Sequence, residues 1–137
     1  VGRWEVDFEG KTIRVCLSRS GEEYPVRGSI DSLKQVLFNI LKNALQSINH
    51  DFGMIQIHVE STPVQTEITI KDNGVGIEEE NLDSIFDPFY SIRKESGTGL
   101  GLSLCQTLVK QMGGDIIVAS TPEKGSEFTI RIPPEEE

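Results

Sequence analysis

The chain has 137 residues, 36% of them hydrophobic and 26% charged, with a formal net charge of −9. That length supports one domain with its own core, and that composition excludes a disordered chain. The acidic balance argues against a nucleic-acid surface, which needs a basic patch; no apolar run approaches the roughly 20 residues of a membrane span, and no signal peptide is visible.

Lys11 to Ser18 alternates Ile13, Val15 and Leu17 with polar neighbours, the period of a half-buried strand. Gly21-Glu22-Glu23 reads as a turn and Tyr24 to Gly28 as a second short strand. Ser29 or Asp31 can cap the helix that follows. Leu33, Val36, Leu37, Ile40, Leu41, Ala44, Leu45 and Ile48 form an unbroken helical stripe. Asn49 to Gly53 ends that helix. Met54 to Ser61 and Gln65 to Lys71 then read as two strands of a hairpin around Thr62-Pro63.

Glu78 to Ser84 is expected to be a short acidic helix, and Tyr90 to Gly97 a mobile charged loop. Phe86 and Phe89 are expected to pack and anchor that loop to the body. A second long helix is predicted from about Gly99 to Met112, with Leu100, Leu104, Leu108 and Met112 on one face, stopped by Gly113-Gly114. Asp115 to Ala119 and Glu127 to Ile132 read as closing strands around a turn over Thr121 to Ser126. Pro133, Pro134 and three glutamates read as a solvated end, so the domain is placed at residues 1–134 with a tail over 135–137. The start at Val1 without a methionine suggests a piece of something longer. Cys16 and Cys105 stand far apart in apolar contexts that suit packing.

Helices alternate here with antiparallel hairpins, without regular βαβ order. The expected fold is α/β: a two-layer sandwich of one mixed, mostly antiparallel sheet with helices on one face.

Two glycine clusters stand out. In Asp72-Asn73-Gly74-Val75-Gly76-Ile77, an acid at a strand end precedes two glycines at alternate positions. Glycine permits positive φ and lets the backbone approach a ligand that a Cβ would push away. Gly97-Thr98-Gly99-Leu100-Gly101-Leu102 opens the second helix, whose free N–H groups and dipole can receive phosphate. It lacks the ending of a P-loop and the spacing of a dinucleotide-binding loop. An acid for a base and a helix N-terminus for phosphates together suggest ATP. The Asp72 carboxylate would accept from the adenine amino group and discriminate against guanine.

On the first helix Asn39, Asn43 and Gln46 fall within roughly 60° of one another, beside the apolar stripe. Two readings stand for these amides: hydrogen bonds to neighbouring backbone, or oxygen ligation of Mg²⁺, which needs only one or two protein ligands. Arg93 and Lys94 can clamp phosphate oxygens or simply solvate a loop. His50 and His58 lie at a helix end and on a strand, with no pattern for a metal or a phosphate acceptor.

Taken in order, Gln35 to Ala44, Asp72 to Ile77, Ile85 to Phe89 and Gly97 to Ser103 resemble the N, G1, F and G2 boxes of the catalytic domain of bacterial sensor histidine kinases. These belong to the superfamily shared with gyrase, MutL and a heat-shock chaperone. The four boxes span residues 35–103, and the closing strands match to about Pro133. The resemblance implies a Bergerat-type sandwich, ATP between the helices and a short lid over Tyr90 to Ser96, as in nitrogen-regulatory kinases. It implies Asn43 as Mg²⁺ ligand, Asn39 beside the phosphates and Asp72 as adenine acceptor. Gly74, Gly76, Ile77, Phe89, Gly97, Thr98, Gly99, Leu100, Gly101 and Leu102 would line the pocket.

Asn39 stands where the ATPase branches carry a general-base glutamate, which favours phosphoryl transfer to a protein histidine over hydrolysis. Gln46 replaces a phosphate-contacting lysine of many relatives, which shifts that task to Arg93 or Lys94. The resemblance implies dimerisation helices with an acceptor histidine and a response-regulator receiver domain as partners. The chain itself would be monomeric and cytoplasmic, whether or not the sensor is membrane-anchored, and without the acceptor helices it would bind ATP but complete no autophosphorylation. Alternatives in the same superfamily are a catalytically degenerate nucleotide-binding module and an anti-sigma-factor-type serine kinase.

Overall fold

The computed structural model describes residues 2–90 and 101–135. Six strands form one sheet in the order β1-β2-β3-β4-β6-β5. They are β1 (Gly2–Phe8), β2 (Lys11–Gly21), β3 (Met54–Ser61), β4 (Thr66–Asp72), β5 (Asp115–Thr121) and β6 (Gly125–Ile132). Every pairing is antiparallel except β2 with β3. A parallel pair requires a crossover, and the crossover contains α1 (Ile30–Ser47). The second long helix is α2 (Gly101–Gln111).

Strand periodicity decides which face the helices cover. Ile13, Ile55, Ile68, Ile70, Phe128 and Ile130 alternate along their strands and are buried in one cluster with Val36, Ile40 and Ala44 of α1 and Leu102, Cys105 and Val109 of α2. Their neighbours Arg14, Gln56 and Lys71 point to the other face and are exposed. The result is the expected two-layer sandwich with helices on one face.

The helix ends follow local chemistry. Ser29 caps α1, its hydroxyl accepting from the Ser32 N–H at 3.3 Å, and Asp31 sits in the first turn, where the helix dipole favours an acid. α2 ends in a Schellman motif: Gly113 has φ +80°, the Gly114 N–H donates to Val109 O at 3.0 Å, and the Gly113 N–H to Lys110 O at 3.0 Å.

Several expectations are corrected. Tyr24 to Gly28 is not a strand of the sheet. Pro25 lacks an N–H, Gly28 has φ +111°, and the segment makes only an isolated bridge from Val26 to Pro134. The same contact ties down the end of the chain: the Arg27 N–H donates to Pro133 O and the Glu135 N–H to Pro25 O. The expected turn at Gly21 is the last residue of β2, and β1 is an edge strand that the sequence reading passes over. The expected helix over Glu78 to Ser84 shrinks to one 3₁₀ turn, Glu79–Asn81, with no buried residue in it. Phe86 packs against the core as expected. Phe89 does not, being 76% exposed with φ +69°. The lid expectation over 91–96 and the site expectations at Arg93, Lys94, Gly97, Thr98, Gly99 and Leu100 lie outside the described residues.

Candidate functional site

The apolar stripe of α1 buries Val36, Ile40 and Ala44, and that orientation fixes the polar residues at its edge. Asn39 is half-buried where α1 meets the start of α2: its Nδ2 donates to Gly101 O at 3.4 Å, and its Oδ1 accepts from Gln35 Nε2 at 3.2 Å. Nearby Cys105 is fully buried and its Sγ donates to Val36 O at 3.6 Å. Burial pushes that thiol up to about 11, against the lowering effect of the Asn39 amide. It stays protonated and packs as a small hydrophobe.

Asn43 lies one turn further along α1, with Gln46 on the next turn, and both are half-buried. Among the described residues the Asn43 amide has no hydrogen-bond partner. The reading of these amides as backbone-bonded therefore holds for Asn39 through Gly101 O.

Asp72 ends β4 on the core side of the sheet, where only 5% of it is exposed. An unpaired carboxylate there would be costly. Three donors converge on its Oδ1: the Gly74 N–H at 2.9 Å, the Ser126 N–H at 3.3 Å and, at 3.2 Å, the Ser47 hydroxyl, which shares its one proton with Ala44 O at 2.8 Å. Desolvation still dominates and raises the Asp72 carboxyl above its ordinary value, against those three bonds. Among the described residues Oδ2 receives no donor, yet no buried side-chain oxygen or nitrogen lacks a partner. A buried carboxylate with one oxygen held in this way can accept a further donor on the other.

The two glycines after it are demanded by close packing, and Gly76 takes the positive φ expected of it. A Cβ on Gly74 would collide with the Ser47 hydroxyl and with the Ser47 carbonyl oxygen at 2.7 Å. Gly76 has φ +73°, and a Cβ there would strike the Thr121 carbonyl. Both positions demand glycine because this loop is clamped between the end of α1 and the β5–β6 turn. The Val75 N–H donates to Ser47 O at 2.9 Å, and the Glu123 N–H to Val75 O at 2.6 Å. Gly101 is under no such pressure, since its Cβ would lie 3.8 Å from Asn39 Cγ.

Ile77 is buried and its N–H donates to Ser120 Oγ at 2.7 Å. Leu102 is buried in the core between the layers. Both are packing residues of the core.

The described residues thus bring Asn39, Gly101 and Leu102 together at the α1–α2 junction, and Asp72, Gly74, Gly76 and Ile77 at the far end of α1. Phe89 stands outside both groups, exposed. Sequence reasoning missed Ser47 and Ser126. Ser47 follows Asn43 at i+4 on α1, a spacing that could have marked it; Ser126 is found only through strand pairing with Asp72.

A family model described as histidine kinase-, DNA gyrase B- and HSP90-like ATPase matches residues 28–136. The sensor histidine kinase RcsC of Escherichia coli K12 is 42% identical over 123 residues, covering 86% of this chain and 13% of RcsC. The signal transduction histidine-protein kinase AtoS of the same organism is 46% identical over 110 residues, covering 80% of this chain and 18% of AtoS. This chain therefore spans less than a fifth of either curated relative. Among solved structures, a nucleotide-free form of the catalytic domain of the histidine kinase ThkA superposes with a TM-score of 0.76 at 30% identity. It covers 88% of this chain and 79% of that one.

Proposed function

The chain belongs to the family of histidine kinase-, DNA gyrase B- and HSP90-like ATPases, and we propose that it is the ATP-binding catalytic domain of a sensor histidine kinase. The observation that carries this reading is Asp72, a nearly buried carboxylate with Oδ1 held by three donors and, among the described residues, no donor on Oδ2. The adenine 6-amino group is a donor that fits it; the guanine 6-oxo group would set acceptor against acceptor. Discrimination of this kind rests on a buried polar group left unpaired by the wrong ligand.

Mg²⁺ fits the Asn43 amide, which stands one helical turn before Ser47 on α1. It keeps several waters, binds substrate phosphates and takes few protein oxygens, and the Asn43 carbonyl, which has no hydrogen-bond partner among the described residues, would supply one. When bound, the cation neutralises charge on the phosphates. Asn39, whose side chain bridges to Gly101 O, fixes the spacing of α1 and the start of α2, where phosphate would meet the helix N-terminus. An amide cannot act as a general base on water, so the chain favours transfer over hydrolysis.

In the proposed reaction a nitrogen of an acceptor histidine attacks the γ-phosphorus of ATP. The bond to the ADP oxygen breaks and a phosphohistidine forms. The domain's contribution is positioning and charge compensation. Residues 1–134 form one nucleotide-binding unit, its partners are helices bearing the acceptor histidine and then a receiver domain, and it works in the cytoplasm.

The test is to join the chain to a helical hairpin carrying an acceptor histidine and supply Mg²⁺ and γ-labelled ATP. Acid-labile label on the histidine, lost in Asp72→Asn, is the expected result. Acid-stable label on serine, or no label while ATP still binds, refutes the kinase assignment.

A further inference from the structure

His50 lies in the loop between α1 and β3, and its ring contacts fix its chemical form. Nε2 lies 2.9 Å from Asn73 O, a carbonyl that can only accept, so Nε2 carries a proton. Nδ1 lies 3.2 Å from the Phe52 N–H, which can only donate, so Nδ1 is bare. The two contacts are those of the Nε2–H tautomer.

The carbonyl it binds belongs to the peptide unit whose other end is the Gly74 N–H. A trans peptide is planar, with its C=O and N–H pointing in opposite directions. One end of this plane is gripped by His50, and the other donates to Asp72 Oδ1 at 2.9 Å. Rotation of the plane would break both bonds together. Polarisation acts in the same sense, since a donor on the carbonyl makes the N–H of the same amide a better donor. The rest of Asn73 is held by the same loop: its Oδ1 accepts from the Met54 N–H at 2.8 Å, and its Nδ2 donates to Phe52 O at 2.8 Å.

We infer that His50 is a positioning residue for adenine recognition, acting through the Asn73–Gly74 peptide to hold Asp72 with Oδ2 presented to the base. This rests on the assignment of Asp72 as the adenine acceptor. A histidine that matches no metal or acceptor pattern in the sequence thereby acquires a role twenty-three residues away.

The two ring bonds can be separated by substitution. In His50→Asn, Oδ1 stands where Nδ1 stood and keeps the bond to the Phe52 N–H as an Asx turn. Its amide nitrogen is one bond too short to reach Asn73 O. Binding of a non-hydrolysable ATP analogue and of purine riboside triphosphate, which lacks the 6-amino group, is then measured calorimetrically for wild type, His50→Asn and Asp72→Asn.

The expected result for His50→Asn is roughly 3- to 10-fold weaker binding of the ATP analogue, the scale of one neutral hydrogen bond. Purine riboside triphosphate should change by less than about 2-fold. Equal weakening of both ligands, or no change in either, overturns the role of His50 while leaving Asp72 in place. A wild-type chain that binds neither ligand, or an Asp72→Asn variant that still prefers the adenine ligand, overturns the adenine site and this inference with it. The unmodified chain gives a second check, because ¹⁵N shifts of the His50 ring report its tautomer. An Nε2-protonated ring supports the relay, and an Nδ1-protonated ring overturns it.

Discussion

Alanine at Gly74 and at Gly101 should have opposite consequences, although both glycines belong to clusters that read alike in the sequence. The new methyl at position 74 meets three atoms of Ser47, its hydroxyl and, at 2.7 and 2.8 Å, its carbonyl oxygen and carbon. Overpacking of that severity costs about 1–3 kcal/mol. Displacing the loop also puts at risk the Val75 N–H to Ser47 O bond and the Gly74 N–H to Asp72 bond, each worth about 1 kcal/mol. A total loss of about 2–5 kcal/mol is expected, which in a domain of this size lowers Tm by roughly 3–4 °C per kcal/mol. Gly101→Ala meets only ordinary contact with Asn39 and should change stability by less than about 1 kcal/mol, in the stabilising direction.

Urea unfolding of both variants without nucleotide measures this directly. A Ser47→Ala, Gly74→Ala double variant should recover only part of the loss, because the backbone atoms of Ser47 remain in the way. A Gly74→Ala chain as stable as wild type would refute the claim that this glycine is demanded by the end of α1.

Other outcomes follow from the same geometry. Asp72→Asn should fold at least as well as wild type, since it removes a carboxylate whose charged form burial disfavours. It should weaken binding of an ATP analogue by the ~1.5–3 kcal/mol of a charge-assisted bond, read by calorimetry. The folded-state value of Asp72 is raised, so its proton goes on at a pH above the ordinary aspartate range. Affinity should be full above that point and fall as pH drops through it, a fall missing in Asp72→Asn. Over the same window Asp72 contributes extra stability on acidification, because the folded chain binds that proton more tightly than the unfolded one. Asn43→Ala should leave unfolding within about 0.5 kcal/mol of wild type, as the amide has no partner to lose among the described residues. The same variant should abolish the gain in nucleotide affinity that Mg²⁺ provides.

The elements that the sequence made legible are those whose burial follows a simple period. β2, β3 and β4 alternate around Ile13, Ile55, Ile68 and Ile70, and α1 carries its stripe at Val36, Ile40 and Ala44. The pairing order was not legible. The parallel register of β2 on β3, and the insertion of β6 between β4 and β5, arise from long-range pairing that no local pattern encodes. β1 is an edge strand whose Trp4 is 52% exposed, so its alternation marks no clean buried face.

At the site, Asp72 and the glycines could be picked out because acid and glycine are unusual at a strand end. Part of the reason for the glycines was not legible: Gly74 and Gly76 also answer to Ser47 and Thr121, which approach only in the folded chain. Ser126 and His50 reach Asp72 and Asn73 across 54 and 23 residues, beyond any motif window. Phe89, expected to pack like Phe86, instead combines a positive φ with an exposed ring, a backbone state that no local pattern announces.

The central claim is that this chain alone holds an adenine-specific nucleotide site built on Asp72. It is tested most directly by calorimetric titration with a non-hydrolysable ATP analogue, with and without Mg²⁺, beside Asp72→Asn. The account predicts saturable one-to-one binding that Mg²⁺ strengthens and Asp72→Asn weakens by roughly 10- to 150-fold. A folded wild-type chain that does not bind, or binding that Asp72→Asn leaves intact, would contradict it.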